Sequence, residues 1–292
     1  MAEIDTYFSK ELLNELHSIC IHVATEVGNI LSDYFAPLNK SKLLASITTK
    51  TSPTDYATEA DEQAELLARK LIKTMRPDDT ILGEEQGEDR GTSDLIWVID
   101  PLDGTTNFVY GIDAFAVSIA AALRPEVDPS VYVPGSGGKH GSVLAGVVYN
   151  PIREELFSGI FSGQPLLNGS EITHSAPDSL SRSLIGTGFG YDQARRSRQA
   201  AMLTKILPDV RDIRRFGSAS LDLCSVAAGR LDGYFEVGLK PWDAAAGLLI
   251  ADLAGSAVHE TPTPEDGPML IVSAPDISED LTASIAASMI FT

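Results

Sequence analysis

The chain has 292 residues, 43% hydrophobic and 22% charged, a globular composition that excludes wholesale disorder and supplies a core without disulfide staples. Basic residues number 22 against 41 acidic ones, a formal net charge of −19; such a surface repels nucleic acid and anionic lipid, so neither is an expected partner. Two cysteines, Cys20 and Cys224, cannot build a disulfide framework, no apolar run reaches the roughly 18 residues of a membrane span, and Met1 to Lys10 does not read as a secretory signal, so a cytoplasmic location is expected.

Leu12, Leu16, Ile19, Val23, Val27 and Ile30 recur at steps of three or four, which predicts an amphipathic helix of about six turns. Lys40 to Thr54 is polar and reads as loop. Ala60, Ala64, Leu67 and Leu71 predict a second helix, with Thr58 as its N-cap and an end before Pro77. Thr80 to Gly83 and Leu95 to Ile99 are short apolar runs of the kind found in buried strands, each followed directly by acids. Ala114 to Leu123, Val143 to Tyr149 and Glu155 to Phe161 read as a meander. Between the first two of these, Arg124 to Gly141 is rich in proline and glycine and reads as an exposed insertion. The second half alternates: strands at Leu184–Phe189, Asp232–Val237 and Met269–Ser273, and helices at Ala194–Leu207, Ser220–Ala228, Trp242–Leu253 and Ile277–Met289. Back-to-back strands in the first half argue for layered sheets with helices between them rather than a simple alternating fold.

The most informative stretch runs from Trp97 to Phe108, Trp-Val-Ile-Asp-Pro-Leu-Asp-Gly-Thr-Thr-Asn-Phe. An apolar strand delivers Asp100, and Pro101, which has no N–H to donate, is expected to end the ladder. Asp103 follows three residues on. Two carboxylates this close at the end of a buried strand repel unless a cation cancels them. Oxygen donors without a nearby His or Cys select a hard ion, Mg²⁺ first and then Mn²⁺ or Ca²⁺. Gly104 permits a tight turn, and the N–H groups of Gly104, Thr105 and Thr106 would face outward at the start of a short helix, where they suit a phosphate. Gly83-Glu84-Glu85 ends a strand and Trp242-Asp243 begins a helix; either acid alone reads as a surface group or an N-cap, but both join the site if they converge with Asp100 and Asp103.

Gly83-Glu84-Glu85, Asp100-Pro-Leu-Asp-Gly-Thr105 and Trp242-Asp243 resemble, in order, the three signature motifs of the inositol monophosphatase family. Lys50-x-x-x-Asp55-x-x-Thr58-x-x-Asp61, Gly217-Ser218-Ala219 and Glu236 are similar to further segments of that family, so the resemblance spans about Lys50 to Gly255. It implies an α/β, αβαβα layered sandwich, a Mg²⁺-dependent and Li⁺-sensitive phosphoric monoester hydrolase, and a homodimer. The whole chain would be a single domain, with subdomains near 1–175 and 176–292. It also implies that Glu84, Asp100 and the carbonyl of Leu102 hold one metal and that Asp100, Asp103 and Asp243 hold a second. A third, weaker ion would lie near Glu84, and Mn²⁺ could replace Mg²⁺. Thr105 and Asp61, with Glu84, would position and deprotonate the attacking water. Gly104 and Thr105 would hold phosphate, and Asp103, Ala219, Glu236 and Asp243 would face the substrate alcohol. The expected substrate is a small polyol phosphate, most simply myo-inositol monophosphate. Relatives with the same motifs act on histidinol phosphate, fructose 1,6-bisphosphate or 3′-phosphoadenosine nucleotides, of which a histidinol-phosphate phosphatase is the second reading, and a non-catalytic binding protein on the same fold is the alternative from another class.

Three features depart from the family pattern: the length of the Arg124–Gly141 insertion, the lack of an aromatic within Ser162–Gly169, and Ser256 where a second glycine is usual. None touches an expected metal ligand. Gly186-Thr-Gly-Phe-Gly190 is not a dinucleotide fingerprint, the five histidines lack zinc spacing, and Gly217-Ser-Ala-Ser220 is not a nucleophile elbow. Cys224 reads as a small buried hydrophobe. Arg195, Arg196 and Arg198 read as a solvated helix face, with phosphate steering as the alternative.

Overall fold

The computed structural model describes residues 9–35, 48–49, 56–57, 59–124, 143–263 and 265–289. Lys50, Asp55, Thr58 and the insertion beyond Arg124 lie outside the described residues, as does most of the expected 40–54 loop.

Helix α1 (Lys10–Phe35) buries the stripe Leu16, Ile19, Cys20, Val23, Val27 and Leu31, and α2 (Glu59–Met75) buries Ala60, Ala64, Ala68 and Ile72. His17 and His22 both lie on α1. Strand β1 (Thr48–Thr49), within the Lys40–Thr54 segment expected to be loop, pairs antiparallel with β2 (Tyr56–Ala57) just beyond it. An eight-stranded sheet follows, in the order β10-β9-β8-β7-β6-β5-β3-β4. Its members are β3 (Thr80–Gly83), β4 (Gly87–Asp89), β5 (Leu95–Asp103), β6 (Ala116–Leu123), β7 (Val143–Asn150), β8 (Glu155–Ile160), β9 (Leu166–Leu167) and β10 (Ser170–Glu171), with α3 (Thr105–Tyr110) between β5 and β6. Only the β3–β5 pair is parallel.

A second sheet has the order β12-β11-β13-β15-β14. It contains β11 (Leu184–Thr187), β12 (Asp212–Arg214), β13 (Gly233–Val237), β14 (Ala257–Thr263) and β15 (Gly267–Ser273), connected through α4 (Gln193–Ile206), α5 (Ala219–Ala227) and α6 (Pro241–Leu253). Helix α7 (Ser278–Met289) ends the described chain.

The layers follow from strand alternation, which sends successive side chains to opposite faces. Trp97, Ile99, Val117, Ile119 and Val147 pack under α1 and α2. Ile96, Val98, Ala116, Ala120 and Val148 face the other way, onto Leu223 of α5 and Leu248 to Ala251 of α6. Tyr234, Leu270 and Val272 close that same core from the second sheet. The outer face of the second sheet, with Ile185, Phe235 and Ile271, is covered by Met202 and Ile206 of α4 and Leu281 and Ile285 of α7. The order is therefore helix, sheet, helix, sheet, helix. Cys20 and Cys224 are both free and buried, Cys224 within the central core.

The ladder does not end at Pro101. Strand β5 continues to Asp103, and its register against β6 shifts between Asp100↔Ser118 and Asp103↔Ala116. Three steps on β5 oppose two on β6, so the proline sits in a β-bulge, where a missing N–H costs no ladder bond. The bulge re-aims the strand end that carries both aspartates.

Candidate active site

A cavity of about 460 Å³ opens where the ends of β3, β5 and β13 meet the starts of α3, α5 and α6. Glu84, Asp100, Leu102, Asp103, Gly104, Thr105, Ala219, Glu236 and Asp243 all line it. The residues expected from sequence therefore converge, apart from Asp61, which stands behind the wall. From α2, Asp61 accepts a hydrogen bond from the Thr105 hydroxyl at 2.9 Å, and the Leu102 carbonyl lies 3.1 Å from that same hydroxyl.

The local backbone explains the turn at Gly104. Gly104 adopts φ of 100° and caps α3. A Cβ there would also stand 3.0 Å from the Ala114 carbonyl and 3.3 Å from that of Gly217, so only glycine fits the left-handed turn and the close approach. No side chain caps α3, so its first amides have no side-chain acceptor.

The carboxylates are held to different degrees. Asp103 Oδ2 accepts from Ser218 Oγ at 2.7 Å, Ser220 N at 2.8 Å and Ser220 Oγ at 2.6 Å. Asp100 Oδ1 accepts the Leu102 amide at 3.0 Å. Asp243 is the third residue of its helix and not the N-cap: Lys240 holds that position, and its amide donates to Asp243 Oδ2 at 2.6 Å. The start of α6 is tied to the large sheet by the Ser118 hydroxyl, which donates to the Trp242 carbonyl at 3.2 Å.

Burial raises the Asp100 carboxyl well above its ordinary value, and the charges of Glu84, Asp103 and Asp243 raise it further. Asp243 is likewise raised by burial and then by Glu84, Asp103 and Glu236. Asp103 is raised by burial against the opposing serine hydrogen bonds. These are the signs of a buried like-charge cluster.

Among the described residues no three of these acids close round a single ion in their present positions. Asp103 and Asp243 each commit one oxygen to protein donors, and no described donor reaches the other. The donor set is nonetheless all oxygen, mutually repulsive and grouped at one end of a cavity, which fits a hard divalent cation.

Sequence reasoning assigned no site role to several groups in or behind the wall. Ser218 and Ser220 flank Ala219 and hold Asp103; their placement at a helix start was the available signal. Tyr234 lies two residues before Glu236 on β13, hence on the same face, and its hydroxyl donates to Glu236 Oε2. Burial brings the Glu236 carboxyl up to about 7. Asp222 also lines the cavity; its Oδ1 is buried with no hydrogen-bond partner, and burial followed by the Glu236 and Asp103 charges raises it well above the usual range. Arg195 and Arg215 reach the same end, Arg215 lying 6.0 Å over the Phe189 ring. Of the α4 basic cluster, Arg195 and Arg198 are paired with Asp266, and only Arg195 lines the cavity.

Residues 12–287 match the sequence profile of the inositol monophosphatase family. An inositol-1-monophosphatase of Mycobacterium leprae is 44% identical over 252 residues, covering 82% of this chain and 81% of its own length. A protein of Pasteurella multocida named Nus factor SuhB is 40% identical over 248 residues, covering 84% and 85%. Among solved structures, the extragenic suppressor protein suhB of Bartonella henselae superposes with a TM-score of 0.78 at 32% identity, over 93% of this chain and 98% of that one. Mycobacterium tuberculosis SuhB gives 0.75 at 35% identity, over 94% and 97%.

Proposed function

The chain belongs to the inositol monophosphatase family, and from that premise we propose that it hydrolyses a small polyol phosphomonoester, foremost myo-inositol monophosphate to myo-inositol and phosphate. The observation that carries this reading is the meeting of Glu84, Asp100, Asp103 and Asp243 with the Thr105 hydroxyl in one cavity. Glu84, Asp100 and the Leu102 carbonyl would hold one Mg²⁺, Asp100, Asp103 and Asp243 a second, and a third, weaker ion would lie near Glu84, with Mn²⁺ as substitute. When bound, these ions supply the positive charge that offsets the carboxylates and an incoming phosphate dianion.

The chain's own groups do the rest. Thr105 Oγ1 donates to the buried Asp61, so its lone pairs are free to accept a proton from water, and Asp61 receives the displaced one. Glu84, which lines the same cavity as Thr105, orients that water. The amides of Gly104 and Thr105 hold the phosphate oxygens. Water attacks phosphorus in line with the ester oxygen, the P–O ester bond breaks, the leaving alkoxide takes a proton from solvent water to become the free alcohol, and Asp61 returns its proton through Thr105 to solvent. Asp103, Glu236 and Asp243 accept hydrogen bonds from the hydroxyls of the alcohol, and the small side chain of Ala219 lets it approach. The assembly would be a cytoplasmic homodimer.

Relatives named Nus factor favour a second reading, in which the same fold serves as a binding partner. Phosphate release decides between them. Inositol 1-phosphate, histidinol phosphate, fructose 1,6-bisphosphate and 3′-phosphoadenosine 5′-phosphate are assayed with Mg²⁺, with chelator and with added Li⁺. Chelator-sensitive, Li⁺-inhibited turnover led by inositol 1-phosphate is expected. Turnover led by another substrate replaces the substrate and keeps the mechanism; no turnover on any of them favours the binding-partner reading.

A further inference from the structure

Glu84 reaches the cavity from a three-residue turn, Glu84 to Gln86, between Gly83 of β3 and Gly87 of β4. The Glu84 amide donates to the Ile99 carbonyl of β5 at 3.3 Å. From the other side the turn rests on a single fully buried carboxylate, that of Glu65 on α2. Glu65 Oε2 accepts the Glu85 amide at 2.7 Å, and Oε1 accepts the Gln86 amide at 3.0 Å. Arg69, one helical turn on, donates from Nε to Glu65 Oε1 at 2.8 Å and from its terminal nitrogen to the Gly87 carbonyl. Both carboxylate oxygens are thereby spent on the two amides that follow Glu84, and the arginine closes the far end of the turn.

Gly83 belongs to the same device. A Cβ there would stand 2.5 Å from Glu65 Oε1 and 2.8 Å from the Arg69 guanidinium. The glycine that opens Gly83-Glu84-Glu85 is thus required by the buried ion pair beneath it. Asp61, Glu65 and Arg69 follow one another at steps of four along α2, on one helix face. One helix therefore anchors both the Thr105 hydroxyl and the Glu84 turn, and an ion pair alone would not need both oxygens aimed at turn amides.

We propose that Glu65 is a positioning residue that fixes Glu84 for metal binding, through its hydrogen bonds to the Glu85 and Gln86 amides, with Arg69 and Gly83 as its supports. This rests on the reading of Glu84 as a metal ligand. Charge-assisted hydrogen bonds to backbone amides are stronger than neutral ones. Glutamine at 65 would turn one acceptor into an NH₂ facing an amide N–H, so it releases the turn without changing side-chain size.

Mg²⁺ binding to the full chain is measured by titration calorimetry, alongside turnover and melting temperature in chelator. Glu65→Gln is expected to weaken Mg²⁺ binding about tenfold or more, and to raise the half-saturating Mg²⁺ concentration for turnover by a similar factor, the scale on which groups holding a metal ligand act. Substrate KM at saturating Mg²⁺ should stay within about twofold, because only ground-state metal capture is disturbed. Gly83→Ala should give the same shift, and the double variant no more than the larger single one, since both act on one contact. Wild-type Mg²⁺ affinity in Glu65→Gln overturns the proposal, whatever happens to its melting temperature. Should Glu65→Gln not fold, Arg69→Lys decides: it keeps the charge but loses the planar fork to Gly87, and unchanged Mg²⁺ affinity there overturns the proposal. Glu84→Gln separates the two readings. If it loses Mg²⁺ binding while Glu65→Gln does not, the positioning role alone fails; if it binds Mg²⁺ as the wild type does, Glu84 is not a ligand and both fail.

Discussion

Asp103 and Asp222 line the same cavity and both look to helix α5, yet Asp103 draws three donors from the start of that helix while Asp222, within it, has a buried Oδ1 that receives none. The contrast extends to the two ends of the cavity. At the phosphate end Asp100, Asp103, Asp243 and Thr105 are each tied to backbone or to a neighbouring side chain. At the other end Glu236 is bound by Tyr234, and Arg215 lies over Phe189. The difference has a physical sense. In the proposed reaction the phosphate end must present charge in one fixed arrangement, because preorganisation is what lowers a barrier. In that reaction the alcohol end has only to accept hydroxyls, and Glu236 Oε1, which no described donor reaches, is left for that task.

The largest expected effect is at the fixed end. Asp103→Asn should reduce turnover of every phosphomonoester by about a hundredfold or more, the scale of losing one preorganised electrostatic element. A loss of only a few-fold in steady-state kcat would remove Asp103 from the machinery and erase the contrast.

Glu236→Gln probes the other end. It should lower kcat/KM for a polyol phosphate about tenfold while leaving p-nitrophenyl phosphate, which has no hydroxyls to offer, within about twofold. Parallel losses on both substrates would show that Glu236 serves the phosphate end instead.

Stability against pH comes next, and here the sign is fixed by the raised carboxyls. Asp100, Asp222 and Asp243 are raised well above their ordinary value and Glu236 to about 7. The folded state therefore holds more protons than the unfolded chain between about pH 4 and 7, and stability falls as pH rises through that window. In chelator the melting temperature should drop on the order of 5 °C from pH 5 to pH 8, and saturating Mg²⁺ should flatten the slope. A melting temperature that rises over this range in chelator would contradict the like-charge cluster.

Asp222→Asn is expected to do least. It removes a charge that burial and the neighbouring acids disfavour, so the metal-free protein at pH 8 should gain on the order of 1 kcal/mol, read from denaturant unfolding. A comparable loss would mean that Arg215 stabilises the charged form more than Glu236 and Asp103 destabilise it.

Much of the fold was legible because its signals are local. The 3.6-residue stripe of α1, the apolar run of β5 and the acids after β3 and β5 can be read without knowing what they pack against. The elements that went unread are short or lie at edges. Strand β14 borders the second sheet and has no fully buried residue, so it carries no apolar run to betray it, and β4, β9, β10 and β12 are two or three residues long. Pro101 misled for a related reason: a missing amide ends a regular ladder but is harmless in a bulge, and the bulge is defined only by the partner strand β6.

The sequence by itself determined the layered class, the oxygen-only donor set and the glycine at 104, since strand period, donor chemistry and backbone freedom are properties of the residues themselves. Only the tertiary structure decided which carboxylate oxygens are occupied, that Thr105 leans on Asp61, that Glu65 carries the Glu84 turn, and that Asp222 Oδ1 is buried without a hydrogen-bond partner. Those facts depend on contacts such as that of Ser218 with Asp103, 115 residues apart, and no local periodicity encodes a hydrogen bond across that distance.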